Sequence, residues 1–264
     1  MVDRRRGIYL LPNFLTTSAL FAGFYAIIAA IDGRFEAAAI AVFSAMILDG
    51  LDGRIARLTN TQSDFGVQYD SLSDLISFGL APSLLIYQWS LFNLGKLGWS
   101  AAFIYAAAAA LRLARFNTQA GTQDKRYFQG LASPASAALI AGMVWLGDSY
   151  GLSDNRLAVI FTLPVTVIAG ALMVSNIRYH SFKQIDLKGQ VPFVAIMILV
   201  LVFFLFSSNP PLVLTAAALI YASSGPVITL LTLRKHKASR KPVEEEVVNL
   251  KNDDTEQNRD QAEK

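Results

Sequence analysis

The sequence predicts an all-α fold, a polytopic transmembrane helix bundle of about eight spans with both termini cytoplasmic. Three observations predict it. Charged residues make up only 16% of the 264, whereas soluble domains carry roughly 25%. Apolar stretches near the roughly 20 residues that cross a bilayer recur along most of the chain. Lysine and arginine gather in alternate loops, the asymmetry that fixes membrane orientation.

The elements follow in order. Residues 1–10 form a basic N-terminus with Arg4, Arg5 and Arg6. Basic residues before an apolar run resemble the start of a secretory leader. Pro12, Asn13, Thr16 and Thr17 interrupt the run, however, and no clear small-residue cleavage site follows, so it is read as a first span, Asn13–Ile31. The further spans are Phe35–Ile55, Tyr69–Leu91, Trp99–Leu113, Ser133–Leu146, Leu157–Val174, Val191–Phe206 and Leu212–Leu233. The inside loops hold Arg54 and Arg57, then Arg112, Arg115, Lys125 and Arg126, then Arg178, Lys183 and Lys188. The alternate loops hold only Arg34, Lys96 and Arg156. The expected organisation is a membrane core over 11–190, additional helices over 191–234 and a polar tail over 235–264. The tail's mixed charge and scarcity of apolar residues predict disorder. Its basic start, Arg234 to Lys241, serves as a stop-transfer flank or rests on anionic headgroups. The chain has no cysteine, which excludes disulfides, thiolate catalysis and thiolate-bound metals.

Four carboxylates stand where a bilayer disfavours charge. Asp49 and Asp52 lie three apart on one helix face, and Asp70 and Asp74 lie four apart on the next helix. The short connection from Arg57 to Gly66 makes the two helices antiparallel neighbours, so the acidic ends meet near the cytoplasmic surface. An ionised Asp in a membrane helix costs a few kcal/mol, and four together repel one another. Divalent cations with hard oxygen ligands resolve this, and paired metals suit phosphoryl transfer. A spare carboxylate can accept a proton from an attacking hydroxyl. Gly50, Gly53 and Gly66 serve either close helix packing or close ligand approach. Arg57 either pairs with phosphate through its fork of donors or snorkels as a topology charge. On residue chemistry alone, cation or proton transport through the acidic cluster stays open beside phosphate chemistry.

The spacing reads D-x-x-D-G-x-x-A-R-x8-G-x3-D-x3-D, filled by Asp49, Asp52, Gly53, Ala56, Arg57, Gly66, Asp70 and Asp74. On these residues the chain is identified as resembling the CDP-alcohol phosphotransferase family. It is most similar in character to the bacterial membrane-embedded branch that accepts serine. The supporting stretches are 11–16 (LPNFLT), 112–117 (RLARFN), 127–131 (YFQGL) with Ser133-Pro134, and 176–183 (NIRYHSFK). The later spans and tail match only in general character.

The resemblance implies a six-helix catalytic core and roles residue by residue. Asp49, Asp52, Asp70 and Asp74 would hold Mg2+ or Mn2+ in two sites, and Asp74 would also act as base. Asn13, Thr16, Gly53, Arg57, Ser63 and Gly66 would contact the CDP-lipid. The substrates implied are CDP-diacylglycerol and L-serine, the products phosphatidylserine and CMP, and the assembly a homodimer in the bacterial inner membrane, with no nucleic acid partner. Other acceptors in the family are glycerol 3-phosphate, inositol phosphate and choline. Arg112, Arg115, Lys125 and Arg126 share the predicted inner face, and either carry the acceptor's carboxylate or act as topology charge. Asn117 and Gln129 are further polar candidates. His180 reads as a surface or headgroup residue.

Overall fold

A computed structural model describes residues 3–59, 61, 63–119, 127–152, 156–180, 197, 201 and 204–232. Helices α1 (Asp3–Ile31) and α2 (Phe35–Leu58) form a hairpin. Gly33 makes the turn with φ of 74°, a left-handed conformation that favours glycine. Its N–H donates to the Ala30 carbonyl at 3.1 Å and that of Arg34 to Ala29 at 2.8 Å, closing the end of α1. The hairpin seam is built from small residues: Ala26, Ala29 and Ala30 on α1 face inward, as do Ala38, Ala39, Val42 and Ala45 on α2. Small side chains let membrane helices approach closely, which is where their packing energy lies.

Helix α3 runs continuously over Asp64–Leu94. Ser63 caps its start, its Oγ accepting from the Gly66 N–H at 3.0 Å. The helix widens into a π-turn over Leu75–Leu80, directly after Asp74. Pro82 supplies a physical reason. It has no N–H to give the Phe78 carbonyl, and the buried Tyr105 hydroxyl donates to that carbonyl instead, at 3.3 Å. Serines bind α3 to α1: Ser73 Oγ donates to the Thr16 carbonyl at 3.2 Å and Ser77 Oγ to that of Ala19 at 3.1 Å. Gly23 lies against Ser77 with no room for a Cβ.

Helix α4 (Lys96–Gln119) crosses next, longer than the Trp99–Leu113 the sequence predicts. After it come strand β1 (Tyr127–Gln129), α5 (Ser133–Ser149), α6 (Arg156–Val174) and strand β2 (Arg178–His180). The strands pair antiparallel, with Phe128 opposite Tyr179. This ribbon of two three-residue strands is a small addition to a structure that is otherwise all-helical, as expected. It joins the loop after α4 to the segment after α6, two stretches that apolar periodicity leaves blank. Gly130 leaves the ribbon with φ of 77°, and a Cβ there would collide with the Met173 carbonyl. The last described helix, α7 (Pro210–Thr232), is longer at its start than the expected Leu212–Leu233.

Among the described residues, four helices are long and apolar enough to cross a membrane: Leu11–Ile31, Asp64–Leu94, Lys96–Thr118 and Pro210–Thr232. The outward faces carry Phe21, Phe24, Ile47, Phe103, Phe161 and Ile220, all exposed. That is the surface expected of a chain solvated by lipid rather than water, and the protein is an integral membrane protein. Most of the expected span Val191–Phe206 and the tail from 235 lie outside the described residues.

Candidate active site

The acidic cluster forms where α2 and α3 approach each other. One carboxylate oxygen from each of Asp49, Asp70 and Asp74 lies within 4.8 Å of the other two. The helical periods bring this about: Asp70 and Asp74 fall one turn apart on α3, and the five-residue link 59–63 returns the chain beside Asp49. Among the described residues the sole ion pair is Arg34–Asp32, remote from this cluster. Asp70 Oδ1 is buried without a hydrogen-bond partner. Three crowded carboxylates, one oxygen of them orphaned, make an all-oxygen donor set that fits a hard divalent cation.

Asp52, 4% exposed, stands outside that trio. Its Oδ2 accepts from Thr16 Oγ1 at 2.6 Å, which ties α2 to α1. Thr16 also donates within its own helix to the Pro12 carbonyl at 3.1 Å, so a single hydroxyl serves two acceptors. Thr17 Oγ1 meets the Tyr69 hydroxyl at 2.9 Å and fixes α3 against the same turn of α1.

Beside the carboxylates lies a cavity of about 270 Å³. Asn13, Thr16, Gly53, Arg57, Ser63 and Gly66, the six residues expected to touch a CDP-lipid, all line it, together with Asp52 and Asp70. Thr61 and Pro12 line it too; Pro12 sits in the 11–16 stretch that carries the resemblance, whereas Thr61 lies in the link outside every matched stretch. The glycines divide. A Cβ on Gly50 or Gly53 would meet nothing within 4 Å, so neither is there to seat a neighbouring helix. Gly53 keeps the cavity wall bare. At Gly66 a Cβ would press on Ser63 Oγ at 3.2 Å, crowding the cap of α3.

The acceptor candidates scatter. Arg112 is close to the cluster: its guanidinium lies in the field of Asp74 and of Tyr221, and its Nη1 donates to Ser133 Oγ at 2.8 Å. Its Nε is buried without a partner. Arg115 turns to the C-terminal end of α6, donating to the Val174 carbonyl at 3.1 Å and Asn176 Oδ1 at 2.9 Å. That is a clamp on a helix end, where a cation is favoured. Asn117 Nδ2 donates to Ser71 Oγ at 3.0 Å, joining α4 to α3. Gln129 is exposed on β1. Lys125 and Arg126 lie outside the described residues. His180 is in β2, opposite Tyr127.

Comparison with known proteins agrees with this geometry. The sequence model of the family described as CDP-alcohol phosphatidyltransferase matches residues 9–175. Over 196 residues the chain is 41% identical to CDP-diacylglycerol–serine O-phosphatidyltransferase of Helicobacter pylori, which covers 74% of this chain and 82% of that protein. The protein of the same name from Bacillus subtilis is 32% identical over 174 residues, 66% of this chain and 92% of that one. The one from Methanocaldococcus jannaschii is 39% identical over 143 residues, 54% and 63% respectively.

Proposed function

This chain belongs to the CDP-alcohol phosphatidyltransferase family, and on that premise we propose that it transfers the phosphatidyl group of CDP-diacylglycerol to the hydroxyl of L-serine. The observation that carries the reading is the double membership of Asp70. It lines the cavity with the six donor-side candidates and also belongs to the carboxylate trio. A diphosphate bound in the cavity therefore sits against the acidic cluster. The relatives named for serine transfer supply the acceptor.

In this reading Asp49, Asp52, Asp70 and Asp74 hold two divalent cations, Mg2+ or Mn2+. These carboxylates would place such cations where they would supply positive charge to the diphosphate and to the departing phosphate oxygen. The protein's own groups do the rest. Arg57, with Asn13 and Ser63, binds the cytidine diphosphate, and the bare wall at Gly53 and Gly66 lets it approach the backbone. Thr16 holds Asp52 in place. Asp74 takes the proton of the serine hydroxyl. The serine oxygen then bonds to the phosphorus that carries diacylglycerol, the bond from that phosphorus to the bridging oxygen breaks, and CMP departs with the oxygen. Phosphatidylserine stays in the bilayer.

The same reading places about eight spans in the bacterial inner membrane, with termini and active site on the cytoplasmic side. The core runs over 11–190, the added helices over 191–234 and the tail over 235–264, and two copies form a homodimer. The decisive test is purified protein with CDP-diacylglycerol, Mn2+ or Mg2+, and each acceptor in turn. Serine-dependent CMP release supports the proposal. CMP release with glycerol 3-phosphate, inositol phosphate or choline but not with serine rejects the acceptor.

A further inference from the structure

The rotation of α3 about its axis decides whether Asp70 and Asp74 meet Asp49, and polar ties on both flanks of the helix set that rotation. At about 100° per residue, Asp70 and Asp74 project within roughly 40° of each other. Tyr69 and Ser73 fall on one side of them and Ser71 on the other, each roughly 60–100° from the nearer carboxylate. The first side is held by α1: the Tyr69 hydroxyl meets Thr17 Oγ1 at 2.9 Å, and Ser73 Oγ donates to the Thr16 carbonyl at 3.2 Å. The second side is held by α4, where Asn117 Nδ2 donates to Ser71 Oγ at 3.0 Å. The Ser71 hydroxyl has a single hydrogen. The Val67 carbonyl, at 3.0 Å, lies nearer to it than Asn117 Oδ1 at 3.3 Å, so Ser71 bonds back into its own helix while it accepts from the next. The π-turn over Leu75–Leu80 resets the helical register directly after Asp74. The second half of α3 therefore does not by itself dictate how the segment Asp64–Asp74 is turned.

We propose that Asn117 is a positioning residue of the carboxylate cluster: through Ser71 it holds the rotation of α3 that brings Asp70 and Asp74 to Asp49, and with it the affinity of the cluster for a divalent cation. This rests on the metal reading above, and it gives Asn117 a task other than contact with the acceptor. The geometry is sensitive. One oxygen from each of the three carboxylates lies within 4.8 Å of the other two. A turn of α3 by about 10° moves an atom about 6 Å from the helix axis by about 1 Å, far more than metal–oxygen bonds tolerate. Residues that hold metal ligands from behind typically govern roughly 10–100-fold of metal affinity. A neutral amide suits the task, because it supplies the donor that Ser71 needs and adds no charge beside the carboxylates.

The test reads Mn2+ binding to the purified protein in detergent, without either substrate, from the loss of the free-ion EPR signal. Asn117→Leu, which keeps the volume and deletes the bond, and Ser71→Ala should each weaken Mn2+ binding about tenfold. The Mn2+ concentration for half-maximal CMP release should rise by the same factor, with the KM for serine unchanged. In the double variant the two effects should combine to less than their product, as groups in one hydrogen bond do. Ser71→Thr, which keeps the hydroxyl, should restore wild-type binding. Wild-type Mn2+ affinity in either Asn117→Leu or Ser71→Ala overturns the inference, as does a raised serine KM confined to Asn117→Leu, the mark of an acceptor contact. Should Asn117→Leu fail to fold, Ser71→Ala decides the question alone. If wild type itself binds no Mn2+, the metal reading fails and this inference with it, a failure distinct from wild-type affinity retained in the variants.

Discussion

On the proposed function, the donor side and the acceptor side of this site are built in opposite ways. The donor side uses three consecutive helices: a motif of 26 positions from Asp49 to Asp74, plus the start of α1. Its residues lie a turn or two apart, and the short 59–63 link closes the geometry. The acceptor candidates lie on distant stretches: Arg112 on α4, bonded to Ser133 at the start of α5, and Asn117 on α4, bonded to Ser71 of α3. The first arrangement suits groups that must keep fixed mutual spacing around a diphosphate. The second lets the acceptor pocket vary while the chemistry stays.

The largest expected effect strikes the carboxylate cluster that the two sides share. Asp74→Asn keeps the volume and removes the proposed base together with one cluster carboxylate. It should lower kcat by about a thousandfold or more, with CDP-diacylglycerol still protecting the protein against heat. Asp49→Asn and Asp70→Asn should behave alike, and EDTA should abolish CMP release in wild type until Mg2+ or Mn2+ is restored. Wild-type rates in Asp74→Asn would remove it from the chemistry. Next in size is Gly53→Val. Its Cβ has open space, so the fold should tolerate it, but the branched side chain fills a cavity of about 270 Å³. The KM for CDP-diacylglycerol should rise at least tenfold while the KM for serine holds. A change in serine KM would mean the two sides are not separate.

The contrast also explains what the sequence made legible. Asp49, Asp70 and Asp74 were readable because helix periodicity converts spacing of three and four into a shared face. Thr16 was readable only through resemblance, since its bond to Asp52 spans 36 positions. The π-turn after Asp74 follows from Pro82, but its compensation by Tyr105 depends on where α4 lies. The ribbon escaped altogether. Each strand is three residues long, too short for alternation to register, and each exists only through pairing with the other. Arg115 looked like Arg112 in sequence, three positions away. Only the end of α6, formed some 60 residues later, separates the helix-end clamp at Arg115 from Arg112, whose partner is Ser133.

Gly130→Ala tests whether the acceptor side depends on the ribbon. The backbone at φ of 77° disfavours a Cβ, by about 1–2 kcal/mol, and the Met173 carbonyl stands in its way. The melting temperature should fall by several degrees, and the serine KM should rise more than that for CDP-diacylglycerol. Equal changes in both would show that the ribbon supports the whole bundle and not one side of it.

The smallest effect is the sharpest on the role of α7. Tyr179→Phe deletes one buried hydroxyl, leaving the Ala222 carbonyl without that donor. Pro226, four residues on, has no N–H to give that carbonyl, so the loss should be at least about 1 kcal/mol. The ring, which seats Gly225, remains. Thermal unfolding should shift down by about 2–4 °C, with donor binding, read as protection by CDP-diacylglycerol, unaffected. If α7 only fills space against lipid, serine kinetics will not follow that shift. If α7 takes part in the acceptor site, a slight loosening at Ala222 should raise the serine KM about twofold to threefold. Serine kinetics and the melting curve, measured in the same preparation, separate a helix that stabilises the site from one that takes part in it.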